Sequence, residues 1–594
     1  MFYFKVEAKG RAETKNLINN SYTVVDGDAA IVSVSTDDLY SFYGVRYPNV
    51  FIGEALAPLT ELDLKRLYKG VVLERDPQFA DLRVASIAII NVATGRIRVM
   101  RSVSCNRPVY YHRGQGVFHC SSHLRPFKAE GVKFEFDDDL LPEFLVYRYV
   151  MPPKTLLRNI SSIPGGCGLI IDIESGNTRN FNLWRVDRDP RDSSLEQAIE
   201  SVSARLGHPL MIVKEKPHKA TLLLSGGLDS SILGALCKKV NISVDSVSSG
   251  FHKITGDPGE SDYARTAADL FGFNHKVYDI DEKDYLTSLI DCISFAEEPI
   301  HHLQSAVLGS MFARSIKPDT KYLVNGEGAD SLFSSAVHLR HIKSKNIVRF
   351  TDTRLFKSLA RPFLNSLAAN SERIRYLLYD HSDDHSDDSH FLWTLEAFGD
   401  MDWVRDHFGK GLTPIVEGRR RFLGQFEDWP LLDRITILLF CSEVDETMRV
   451  WGKLAEEAGF IMIYPFSNPE LISYLFSVDW NLKARDSKYL LKRLALKSGI
   501  PEQIINRPKR GFGFPARFWA PPGALFQPLV DMAAEMFDAA LLKSLQVENG
   551  LRAMVLWGYL NIYLWHKIVI EGISTSNIKA EIASRRKALE KSRA

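Results

Sequence analysis

The chain has 594 residues, 45% of them hydrophobic and 25% charged, which is enough for two large globular domains or three smaller ones. It carries 74 basic against 73 acidic residues, a net charge of +1 that excludes the electrostatic footprint of a nucleic-acid binder or a membrane-surface protein. Six scattered cysteines form no C-x-x-C pair and Met1-Phe2-Tyr3-Phe4-Lys5 has no signal-peptide pattern, so reduced thiols and a cytoplasmic location are expected.

Residues 1 to about 190 read as β-rich, with alternating or apolar runs at Ala29–Val34, Val84–Val92, Ile97–Val103, Val117–Ser121 and Gly168–Ile173. Glycine, asparagine and proline punctuate these runs, and helices are expected at Leu59–Tyr68 and Leu140–Tyr149, which together predict a layered α+β domain. From about residue 191 strands alternate with helices. That pattern predicts an α/β domain whose parallel sheet is covered by helices, with a helical insertion near 341–430.

The second region opens on an apolar strand, Ala220–Leu224, a Ser225-Gly226-Gly227 turn and a helix from about Asp229 to Lys239. This is the sequence of a phosphate cradle. Glycines admit a pyrophosphate to the backbone, the helix start offers unpaired N–H groups, and the hydroxyls of Ser225, Ser230 and Ser231 can donate to phosphate oxygens. Leu224, Ser225, Gly226, Gly227, Asp229 and Ser230 are therefore the first binding candidates. A carboxylate such as Asp229 sits beside phosphate mainly with a divalent cation between them. The next strand, Ile242–Val247, brings Ser248 to the carboxyl edge of the sheet, where such folds bind nucleotides. A third strand, Tyr322–Val324, runs into Asn325-Gly326-Glu327-Gly328-Ala329-Asp330, adding Asn325 and Gly326 to the binding set.

Other features take bland readings. His275 is expected to be a hydrogen-bonded structural histidine. The run His381-Ser382-Asp383-Asp384-His385 up to His390 reads as an acidic loop with no framework for a metal. Leu551–Ile570 has membrane-spanning length but carries Arg552, Asn561, His566 and Lys567, so it reads as a core helix and no membrane span is expected. The basic tail from Lys579 to Arg593 reads as a solvated helix.

The Ser225–Ser230 loop resembles the SGGxDS loop of ATP pyrophosphatases, and further motifs extend the resemblance to the asparagine synthetase-like family. Asn325–Asp330 is similar to its S-G-E-G-x-D segment, Glu297-Glu298-Pro299 to its D-E-P segment on the acceptor side, and Ile435–Met448 with Tyr464-Pro465-Phe466-Ser467-Asn468 to its M-x-x-x-x-E-x-R-x-P-F-L-D stretch. Ser487-Lys488 through Arg510 is similar to its E-K-x-x-L-R…R-x-K region. The texture of Arg101–Tyr111, Phe118–Ser122 and Ile163–Gly166 is similar to the family's glutaminase domain, whose nucleophile is a cysteine at position 2, where this chain has Phe2.

The resemblance implies an enzyme that uses ATP and Mg²⁺ to adenylate a carboxylate, releases pyrophosphate, and lets an amine displace AMP. Asp229 and Asp330 would hold the metal. Glu327 would take the amine's proton, and Lys509 would meet the leaving pyrophosphate. His302 joins them as a catalytic candidate, because His302-Leu303-Gln304 replaces the family's polar D-P-S and so implies a changed nucleophile. A degenerate glutaminase domain over 1–190 is expected to leave the nucleophile to the substrate itself.

Two branches of the family behave that way, β-lactam synthetases and lasso peptide cyclases, and the chain is most similar to the second. Its substrate would be a precursor (core) peptide delivered by a leader-peptide protease, and its product a macrolactam between the peptide's N-terminal amine and an Asp or Glu side chain. A β-lactam closure, asparagine synthesis from ammonia and a non-catalytic nucleotide- or peptide-binding scaffold are the alternatives.

Overall fold

The computed structural model describes residues 2–8, 23–26, 30–36, 41–46, 48–55, 84–103, 107–183, 194–214, 219–250, 261–300, 302–316, 319–335, 339, 397–409, 413–483, 485–507, 525–547 and 550–593. Both halves of the expected fold class are present: antiparallel sheets come first, and a parallel sheet flanked by helices follows. The junction expected near residue 190 falls at 184–193, outside the described residues, as do Leu59–Tyr68, Lys509 and the His381–His390 run.

The first 183 residues contribute twelve described strands. They are β1 (Phe2–Ala8), β2 (Thr23–Asp26), β3 (Ala30–Thr36), β4 (Ser41–Arg46), β5 (Asn49–Ala55), β6 (Val84–Asn91), β7 (Arg96–Arg101), β8 (Tyr110–Gly114), β9 (Val117–Ser121), β10 (Ser161–Ser162), β11 (Cys167–Asp172) and β12 (Thr178–Asn182). One sheet runs β10-β8-β9-β1-β3-β2 and the other β12-β11-β7-β6-β5-β4. Alternation decides what lies between them. Phe4 and Val6 of β1, Val32 of β3 and Phe118 of β9 meet Ile52, Ile90, Val99 and Leu169 of the second sheet in one apolar layer. The opposite face of that second sheet buries Phe51, Ile87, Ile89, Met100 and Phe181. This is why β6 reads as an unbroken apolar run rather than an alternating one.

The parallel sheet is built from β13 (Lys219–Leu223), β14 (Val244–Gly250), β15 (His275–Asp279), β16 (Thr320–Val324) and β17 (Ile461–Ile463), in the order β15-β14-β13-β16-β17. Every neighbouring pair is parallel. The chain winds outward from β13 through β14 to β15, then returns to place β16 on the other side of β13. That reversal opens a crevice at the carboxyl ends of β13 and β16. Buried residues from Val103 to Ile582 make one continuous core around this sheet.

The apolar C-terminal segment forms a helix, Gly550–Trp565, continued by a π-turn at His566–Ile570. Among the described residues it is the one helix long and apolar enough to cross a membrane, yet 72% of that stretch is buried inside the protein. Trp557 and Trp565 are fully enclosed, and the Trp565 indole N–H donates to the Glu297 carbonyl at 3.0 Å. The expected core helix is therefore what the sequence forms. The basic tail is also helical, over Thr575–Arg593.

Candidate active site

Two strand-to-helix turns meet in the crevice. After β13 the chain turns through Ser225-Gly226-Gly227 into the helix Leu228–Lys239, whose N-cap Gly227 has no side-chain cap, so the first N–H groups of the helix lack an intrahelical acceptor. Gly226 has φ +69°, and a Cβ there would lie 2.3 Å from the backbone carbon of Tyr263. Only glycine fits this turn. The hydroxyls bind one another: Ser225 Oγ lies 3.2 Å from Ser230 Oγ and accepts the Gly227 N–H at 3.3 Å.

After β16 the second turn brings Gly326 against the first loop, its virtual Cβ 3.6 Å from the Cβ of Asp229. Asn325 donates its N–H to the Ile463 carbonyl at 3.0 Å, and its side-chain carbonyl accepts the Glu327 N–H at 2.8 Å. A cavity of about 600 Å³ lies over both turns. Leu224, Ser225, Gly227, Asp229, Ser230, Ser248, Asn325, Gly326, Glu327 and Asp330 all line it. Gly226 shapes the turn beneath without lining the cavity.

A lysine joins the two aspartates. The Lys488 ammonium lies 2.5 Å from Asp229 Oδ2 and 2.9 Å from Asp330 Oδ1. Burial by itself would lower the lysine's pKa, but the carboxylates of Asp229 and then Asp330 outweigh it and hold the group well above the usual lysine range. Sequence pattern does not single out Lys488, whose place between the two aspartates depends on a contact spanning 259 residues. Arg507 falls in the same motif stretch. It donates to the Ser225 carbonyl at 3.1 Å and stacks over the Tyr263 ring at 4.6 Å, so it braces the phosphate turn.

His275 takes its bland role with a use. Its two ring nitrogens lie 2.9 Å from Ser246 Oγ and 3.2 Å from Ser248 Oγ, which orients the Ser248 hydroxyl at the cavity wall. His302 is placed differently from expectation. It does not line the cavity; its ring packs against Trp451 and Phe398, its Nε2 lies 3.0 Å from Glu443 Oε1, and burial pushes its pKa down to about 3. Trp451 is the side chain that reaches the cavity, its indole N–H fixed by Ser305 Oγ at 3.1 Å. His302 thus lies behind that wall.

The Glu297-Glu298 pair also departs from expectation. Neither lines the large cavity; both border a second space of about 40 Å³ between the β-rich layer and the parallel-sheet region. Charge pairing explains it. Glu297 accepts the backbone N–H groups of Leu124 and Arg125 at 2.7 and 3.1 Å and faces Lys453 at 3.4 Å, while Glu298 binds Arg449 at 2.7 Å. Arg449 also meets Asp445 and Glu446, and burial pushes Glu446 up to about 8.

The donor set fits ATP and a divalent cation. Asp229 and Asp330 already converge on a single cationic centre, and the helix start and glycine turns offer N–H groups to phosphate. Among the described residues no group of three His, Cys, Asp or Glu could hold a metal, so a cation on the two aspartates would take its other ligands from phosphate and water, as Mg²⁺ does in nucleotide sites.

Residues 216–567 match the family model for asparagine synthase. The chain belongs to the asparagine synthase family. It is 25% identical over 486 residues to the "Putative asparagine synthetase" (glutamine-hydrolyzing) of Mycobacterium tuberculosis (strain ATCC 25618 / H37Rv), covering 74% of this chain and 69% of that one. It is 20% identical over 420 residues to the glutamine-hydrolyzing asparagine synthetase 1 of Bacillus subtilis (strain 168), covering 70% and 65%. As a member of the asparagine synthase family the chain is a ligase that forms amide bonds at the expense of ATP.

Proposed function

We propose that this ligase closes a macrolactam within a precursor peptide, joining the peptide's N-terminal amine to an Asp or Glu side chain. The observation that carries the reading is the make-up of the cavity over the two turns. Beside the turns and the two aspartates its lining includes Leu308, Met311 and Trp451, apolar side chains suited to a peptide segment rather than to free aspartate.

The chemistry follows from the lining. The substrate carboxylate attacks the α-phosphorus of ATP, pyrophosphate leaves, and the amine attacks the acyl carbon to expel AMP. A carboxylate is a poor acyl donor, and the mixed anhydride with AMP turns its oxygen into part of a good leaving group. Glu327, at the cavity wall, accepts the proton that the amine sheds. A cation held by Asp229 and Asp330 would neutralise charge on the departing pyrophosphate. Lys509 is assigned to the same leaving group by its motif alone.

The cysteines support an amine that comes from the substrate. Burial pushes the thiols of Cys167, Cys237 and Cys292 up to about 12 and raises that of Cys120 well above the usual thiol range, so none of these four is poised as a glutaminase thiolate. Phe2 heads β1 where the resemblance places the family's nucleophile. We assign residues 1–190 a structural or substrate-binding role, the remainder the adenylating role, a protease as partner and the cytoplasm as location.

Asparagine formation from ammonia is the second reading, favoured by the names of the relatives. Mass spectrometry of extracts from cells carrying the native chain or Asp229→Ala separates the two. Loss of a peptide product, with gain of a linear form heavier by one water, supports the macrolactam. No change in peptides, together with rescue of an asparagine auxotroph by the native chain, replaces it with asparagine synthesis.

A further inference from the structure

The Nζ of Lys488 stands where a divalent cation on Asp229 and Asp330 would stand. Its contacts of 2.5 and 2.9 Å put the two carboxylate oxygens within a span that one Mg²⁺ ion, with ligands at about 2.1 Å, closes by a small side-chain adjustment. An ammonium and a metal ion cannot both occupy that point. Each would also be repelled by the other at a distance of a few ångströms.

The backbone is built to deliver this lysine. Lys488 is the N-cap of the helix Tyr489–Lys497 and sits in the left-handed region at φ +55°, a conformation that costs a non-glycine residue energy and is kept only where its surroundings enforce it. Its N–H donates to the carbonyl of Ser334 at 3.3 Å, and Ser334 is itself left-handed at φ +56°. Ser334 closes the short turn that follows Asp330. The lysine is therefore tied by its backbone to the same segment whose carboxylate its side chain binds.

We propose that Lys488 is an internal counterion that competes with the divalent cation for Asp229 and Asp330, so that the metal binds this protein tightly only when nucleotide phosphate draws the ammonium away. The inference rests on the reading that these two aspartates hold the cation, and it adds an order of events: nucleotide and metal arrive together. Metal alone is kept out, and the two carboxylates stay together without it.

The test is binding of Mn²⁺ alone, followed by its electron paramagnetic resonance signal and by calorimetry, to the full chain and to Lys488→Met and Lys488→Arg. The expected result is Mn²⁺ affinity at least about tenfold higher for Lys488→Met than for the native chain, no gain for Lys488→Arg, and loss of the gain when Asp330→Asn is added. Lys488→Gln, which can still hydrogen-bond both carboxylates, is the substitute where Lys488→Met fails to fold, with the same gain expected. Equal Mn²⁺ affinity in native and neutral variants, abolished by Asp330→Asn, overturns the competition while leaving the metal site intact. Absence of Mn²⁺ binding in every form, even with ATP, overturns both the competition and the metal site beneath it.

Discussion

Arg101, at the end of β7, donates two hydrogen bonds to Asp445, 344 residues away, through Nη1 at 3.1 Å and Nη2 at 2.7 Å, and both side chains are at most 2% exposed. Asp445 lies in the helix Glu443–Glu457, which also supplies Trp451 to the cavity and Arg449 and Lys453 to the buried charge network. One ion pair thus ties the β-rich layer to the helix that walls the site. Removing Arg101 takes away the two shortest contacts of a buried carboxylate and leaves Asp445 with Arg449 at 3.3 Å as its remaining ion-pair contact.

Arg101→Met is accordingly expected to destabilise the protein by about 3–5 kcal/mol, read as a lowered urea midpoint. Asp445→Leu added to it is expected to recover part of the loss, because Arg449 keeps Glu298 and Glu446 as partners. A double variant no more stable than Arg101→Met would show that the pair contributes through packing alone.

The turn at Gly226 admits no side chain. Gly226→Ala must bear a left-handed conformation, at about 1–3 kcal/mol, and a clash with the Tyr263 backbone besides. A lower thermal midpoint with weakened ATP binding by equilibrium dialysis is the expected outcome. Unchanged ATP affinity would mean that the turn is not the phosphate cradle.

Glu327 and Asp330 lie three residues apart on one turn, and the proposed reaction gives them different steps. Asp330→Asn is expected to lower ATP-dependent pyrophosphate release by about 10²–10³-fold, since it weakens the charge stabilisation of the leaving group. Glu327→Gln is expected to lower amide formation by about 10²–10⁴-fold while exchange of labelled pyrophosphate into ATP persists. Loss of that exchange in Glu327→Gln would move Glu327 from the amine step to the adenylation step.

Glu143 gives a pH signature of stability. It accepts the Met151 N–H at 2.9 Å, and burial pushes its carboxyl up to about 7. A folded-state value above the unfolded one means the folded state favours the proton, so stability is greatest below the unfolded value and falls as pH rises toward 7. Glu143→Gln keeps the acceptor without the charge, and is expected to flatten the fall in thermal midpoint between about pH 4.5 and 7 relative to the native chain. Parallel curves for the two proteins would show that Glu143 ionises in the fold without cost.

Much of the site was legible because it is local. The strand, glycine turn and helix at 220–239 were placed within a residue or two of Lys219–Leu223 and Leu228–Lys239, and Asp229, Glu327 and Asp330 all reach the cavity. Strand β1 was missed. Phe2–Ala8 carries Lys5 and Glu7 among its apolar residues, and it is a central strand only because β3 and β9 pair with it on either side. The motif position of His302 puts it near the acceptor side, while its packing against Trp451 goes with Trp451, and not His302, lining the cavity.

The sequence by itself determined the two kinds of sheet, the glycine turn after β13 and the core character of the C-terminal helix, because each rests on a local run of residues and on periodicity that the backbone imposes. Only the tertiary structure decided that Lys488 sits between Asp229 and Asp330, that Glu297 and Glu298 spend their charge on Lys453 and Arg449, and that Arg101 holds Asp445. Those pairings join residues 151 to 344 positions apart. Local pattern says which groups are charged; the order of strands around β13 and the burial that follows say which opposite charge each one meets.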